Sequence, residues 1–95
     1  MLSAGVVTIM NRKSSRILDA AFIEVVENQL RDGTPPETKQ TLDRLLNDGI
    51  EESDAKRLIA CVVATEIYDM LESKQPYNRE RFVKALHRLP RLPWE

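Results

Sequence analysis

Apolar positions along this chain recur with the helical period of about 3.6 residues in four successive stretches, and nowhere alternate with period two over a strand's length. The first stretch predicts a helix over 15–31. Leu18, Ala21, Phe22, Val25, Val26 and Leu30 share one broad face, opposite Glu24, Glu27, Asn28 and Arg31. The second, over 35–47, carries a narrow stripe of Leu42, Leu45 and Leu46 on an otherwise polar helix. The third, over 54–72, is apolar nearly all round. Ala55, Ile59, Ala60, Val62, Val63, Ala64, Ile67, Met70 and Leu71 fill well over half of its circumference, which marks it as the central helix. The fourth, over 78–89, turns Phe82, Val83, Ala85, Leu86 and Leu89 inward.

Punctuation residues set the expected limits. Ser14 or Ser15 caps the first helix, and Gly33 supplies a left-handed stop. Thr34-Pro35-Pro36-Glu37 reads as a capping threonine, prolines in the first turn and a capping-box glutamate. Gly49 fits the residue after the second helix, where Ile50 can fold back onto Leu45. Ser53 is the expected cap of the third helix and Asn78 that of the fourth, which must stop before Pro90. The predicted fold is all-α: a compact four-helix domain over 14–90. A flexible extension precedes it over 1–13, with Met10 an alternative start, and an extended tail follows over 91–95.

Ninety-five residues suffice for one hydrophobic core, and a formal net charge of −1 gives no overall basic excess. That small number hides two opposed blocks. From Asp19 to Glu72 there are thirteen acidic and five basic residues, and outside that window nine basic and two acidic ones. The lone Cys61 excludes an internal disulfide and reads as a small buried hydrophobe. With no secretion signal, the reducing cytoplasm is the expected compartment. The apolar N-terminal stretch is too short for a membrane span, and no membrane association is expected.

Few residues point to chemistry. Glu66 falls within the apolar face of the third helix, where a carboxylate must be paired, hydrogen-bonded or protonated. Together with Glu27 and Asp69 it could form a carboxylate-based metal or hydrolytic centre. The simpler reading pairs Glu66 with an arginine such as Arg16 or Arg44, or with a helix terminus. His87 is the only histidine, and no nucleophile–histidine constellation assembles around it, so no catalytic residue, metal ligand or cofactor is assigned. On the fourth helix Arg81, Lys84 and Arg88 share a face flanked by Arg79 and Arg91. This patch suits an anion or nucleic acid, or the chain's own acidic block. Five charges without interleaved aromatics disfavour nucleic acid. A helix-turn-helix reading fails because the would-be recognition helix begins with Glu51, Glu52 and Asp54, which repel phosphate. Pro90-Arg91-Leu92-Pro93-Trp94 has the spacing of a proline-rich ligand but more simply lies across the domain before it.

Val26-Glu27-Asn28-Gln29-Leu30, Pro35-Pro36-Glu37, Glu66-Ile67-Tyr68-Asp69 and Arg79-Glu80-Arg81-Phe82-Val83-Lys84-Ala85-Leu86 together resemble a group of small bacterial helical domains of uncharacterised function, over roughly residues 22–90. The resemblance implies a soluble, all-helical bacterial domain and brings no activity. Some such proteins carry a His-Glu-x-x-His-like stretch at the start of the long helix. The matching positions here read Ser53-Asp54-Ala55-Lys56-Arg57, without either histidine, so the resemblance implies no zinc site. The leading expectation is a non-enzymatic interaction module that forms a homodimer or binds a protein partner, motivated by surplus apolar surface on the first and third helices.

Overall fold

The computed structural model describes residues 13–94, and among these the chain forms four helices: α1 Lys13–Asp32, α2 Pro36–Asn47, α3 Glu52–Ser73 and α4 Arg79–Arg88. The expectations for Met10 and the N-terminal extension lie outside the described residues, except that Lys13 already belongs to α1; so do the side chains of Ser14, Ser15, Arg16 and Leu18.

Both glycine stops form as expected. Gly33 takes φ +71°, and its N–H and that of Thr34 donate to the Gln29 carbonyl at 2.8 and 3.2 Å. After α2, Gly49 takes φ +91° and donates to Leu46 O at 3.0 Å, while Ile50 donates to Leu45 O at 3.1 Å. Those two bonds define a Schellman ending, and Ile50 packs against the core. Asn78 caps α4, its Oδ1 accepting from the Arg81 N–H at 2.9 Å. Leu89 leaves the helix with ψ 143°, the extended geometry that Pro90 imposes on its predecessor.

Three expected caps do not form. Neither Ser14 nor Ser15 caps α1, because the helix already includes Lys13 and both serines lie within it. Pro35, not Thr34, occupies the position before α2, with ψ 150° and no side-chain cap. The reason is local: a residue preceding proline is driven out of helical geometry, so the helix cannot begin before Pro36. Glu37 therefore sits one position short of a capping box and turns toward α4. At α3 the cap position is Glu51 rather than Ser53, and its carbonyl accepts from the Ala55 N–H at 2.8 Å. Glu52 and Asp54 instead place negative charge in the positive first turn.

The core gathers Val26 of α1, Leu42 and Leu45 of α2, Ala55, Ile59, Val62 and Val63 of α3, and Phe82, Leu86 and Leu89 of α4 and its exit. α3 touches all three other helices, most broadly α1, and is the central helix the pattern predicts. α2 and α4 lie side by side in the same direction, since Glu37 meets Arg79 at their starts and Arg44 meets Leu86 and Leu89 at their ends. Leu92 folds back onto the core, which places the proline-containing tail across the domain.

Four expected core positions are not enclosed. Ala21 and Leu46 are exposed, Ile67 is 37% exposed and Leu71 is 74% exposed. α3 has 22 residues, about 33 Å, whereas α4 has ten, about 15 Å, so the last turns of α3 outrun their cover. In dilute solution Leu45→Ala, which empties a fully buried site, should cost about 3 kcal/mol in urea unfolding. Leu71→Ala should cost about 0.5 kcal/mol or less.

Candidate functional site

Glu66 is buried, its side chain only 7% exposed, and among the described residues it is bound by α4 rather than by Arg44, while the Arg16 side chain lies outside the described residues. Arg81 Nε donates to Oε1 at 3.0 Å, Arg81 Nη2 to Oε2 at 2.9 Å, and the Asn78 N–H to Oε2 at 3.2 Å. A bidentate guanidinium and a backbone donor from the helix N-terminus together satisfy a carboxylate that would otherwise be costly to bury. The Glu66 hydrogen bond holds the Arg81 guanidinium above its ordinary pKa, with a smaller attraction from half-buried Asp69, one turn further along α3.

Glu27 belongs to a different place. Lys56 Nζ donates to both of its oxygens at 3.1 and 3.0 Å and also pairs with Glu52 at 2.9 Å. These bonds, Glu52 first and Glu27 second, raise the Lys56 ammonium above its ordinary value of 10.5. Lys56 and Glu66 stand ten residues apart on α3, about 15 Å along its axis, so the two glutamates do not converge. Among the described residues no group of three or more His, Cys, Asp or Glu side chains is placed to hold a metal ion.

The basic residues divide. Arg79 turns to Glu37 at 2.6 Å and Arg81 to Glu66, so both neutralise the acidic block of the same chain. Lys84 makes a loose 3.6 Å contact with Glu80, both largely exposed. Arg88 and Arg91 pair with no carboxylate among the described residues, and His87 is exposed beside them. Tyr77, tilted against Phe82 with ring centroids 6.0 Å apart, is still 47% exposed, and partial desolvation is the chief cause that pushes its phenol above the ordinary 10.0.

Two features escape the sequence reading. Arg44 donates to the carbonyls of Leu89 and Leu86 at 2.9 and 3.0 Å and so caps the far end of α4. That pairing spans more than forty residues, and no local signal announces it. The second is a surface stripe on α3. Arg57, Cys61, Ala64, Tyr68 and Leu71 recur at spacings of four, three, four and three, with Ile67 beside them. Arg57 and Leu71 are exposed, and Cys61, Ala64 and Tyr68 are half-buried. The Thr65 hydroxyl donates to the Cys61 carbonyl at 2.8 Å, so its polar atom is turned back onto its own helix.

No family model matches the chain, and no curated protein or solved structure shows significant similarity to it. Among the described residues no helix is long and apolar enough to cross a membrane.

Arg81→Ala leaves a buried carboxylate without its main partner, so it should lower the urea midpoint clearly, whereas Lys84→Ala should leave it nearly unchanged. Comparable effects of the two changes would contradict the assignment. Alkaline pH supplies a second check. Lys56 and Tyr77 both lose their protons at higher pH in the fold than in the open chain. Above pH 10 the unfolded chain therefore releases protons first, and stability, full below that range, should fall as pH rises through and beyond 10.5. Unfolding curves collected across this range should show the decline, and Lys56→Gln should make it shallower.

Proposed function

We propose that this chain is a non-enzymatic interaction module that associates with a second copy of itself. One observation carries the reading: the central helix brings an apolar stripe to the surface at the spacing of a helix–helix seam, ending in a leucine that is 74% exposed. The disposition of charge supports it. Glu66, Glu27, Arg79 and Arg81, the residues best suited to chemistry or anion capture, are engaged in pairs within the chain. Glu27 and Glu66, the proposed nucleus of a metal or hydrolytic centre, are held apart by different lysine and arginine partners. A long central helix with shorter neighbours is suited to hold a rigid face toward a partner.

Solution mass by light scattering across a concentration and salt series tests this reading. The expected result is a concentration-dependent dimer that persists in high salt with modest loosening, because the contact is mainly apolar. A strict monomer into the high micromolar range would refute it.

A further inference from the structure

Resting on that reading, we infer that the dimer is formed by α3 packing antiparallel against α3 of a second copy, centred on Ala64 and closed at both ends by Arg57 and the partner's Glu72. The stripe is self-complementary in a way that specifies this occupant. Arg57 lies seven residues before Ala64, and Leu71 seven after it, with Glu72 next in the chain. A two-fold axis through Ala64 therefore sets each Arg57 opposite the partner's Leu71 and within reach of the partner's Glu72. Two ion pairs form from one kind of contact, and the aliphatic part of each Arg57 lies over the leucine that the single chain leaves exposed.

The other features of the stripe agree with this arrangement. Ala64 at the centre is small and permits close approach of the two helices. The spacing of four, three, four and three continues for two heptads, about 21 Å of helix, too short for a free coiled coil but adequate for two helices already held by their own domains. Arg57 and Glu72 are exposed, and neither pairs with a charged group among the described residues, so both are available. Of the other cations near α3, Lys56 is bound to Glu27 and Glu52 and Arg81 to Glu66, while Lys74, just past the helix end, is exposed and forms no ion pair among the described residues. A contact of this length buries an area at the low end for specific interfaces, so the dimer is expected to dissociate in the micromolar range.

Charge reversal supplies the test. Arg57→Glu and Glu72→Arg each set like charges against one another at both ends, and each should weaken the wild-type dimer by about tenfold or more. An equimolar mixture of the two variants restores opposite charges at both ends and should recover the dimer as a heterodimer. Both positions are exposed, and unchanged thermal melting by circular dichroism verifies that the variants fold. If the wild type dimerises but the mixture does not recover, the copies meet through another face; this inference is overturned and self-association stands. If the wild type is monomeric at every concentration, both fall. If removing residues 1–12 converts a monomer into a dimer, the occupant of the stripe is the chain's own N-terminal segment, and the inference is likewise overturned.

Discussion

A carboxylate placed in the apolar face of the central helix is the constraint around which α4 is arranged. Glu66 can be buried there only if its two oxygens receive donors, and among the described residues these come from α4 and its cap: the guanidinium of Arg81 and the backbone N–H of Asn78. Asn78 at the same time caps the helix through its side chain, so one turn both starts α4 and satisfies α3. Ten residues are too few for an isolated helix to be stable in water. α4 exists because each end is fixed by long-range polar contacts, Glu66 at the start and Arg44 at the finish, while Phe82 and Leu86 between them enter the core. The Glu66 contact is thus better understood as specifying where α4 docks than as adding stability, since buried ion pairs roughly break even against apolar replacements.

The same reasoning accounts for much of the segregation of charge along the chain. An acidic middle and a basic C-terminal part repel within themselves and attract each other. The fold places the first turns of α4 against α2 and α3, where Arg79 meets Glu37 and Arg81 meets Glu66. Lys56 does similar work between α1 and α3 through Glu27. Each of these pairs has one largely buried partner, so breaking one leaves a poorly solvated charge, yet the net gain of the intact pair over apolar packing is small. The leucines, valines and isoleucines of the core supply the driving force, and the charges select among the ways four short helices can pack.

Local rules were readable in the sequence, and distant ones were not. The helix limits, the left-handed turns at Gly33 and Gly49, the return of Ile50 onto Leu45 and the Asn78 cap all depend on residues within a few positions of one another. The Thr34 expectation failed by one residue because two prolines compete: the second forbids helical geometry at the first, which outweighs the threonine's preference for capping. That Glu66 needed a cationic partner followed from its position in the apolar pattern. Which arginine would supply it depended on how α4 crosses α3: Arg81 does, and Arg44 does not. Arg44 was drawn instead to the open carbonyls of a helix end more than forty residues away.

Leu71 shows why a helical wheel and a surface need not agree. A wheel assigns an apolar residue to a face, but a face is buried only as far as a neighbouring helix extends along it. α3 is longer than α2 and α4, so its apolar circumference must emerge somewhere, and it does so beyond the Glu66 anchor. A single exposed leucine is ordinary on a protein surface. A leucine in line with a tyrosine, an alanine and a cysteine at seam spacing, with opposite charges at the two ends, is an ordered surface. Shortening α3 after Glu66 would remove only Tyr68 and Leu71 from this surface, because Arg57, Cys61 and Ala64 lie on the stretch that also carries the core. The two sides of one helix therefore differ: Ala55, Ile59, Val62, Val63 and Glu66 face inward and hold the domain together, while Arg57, Leu71 and Glu72 on the outward side stay exposed.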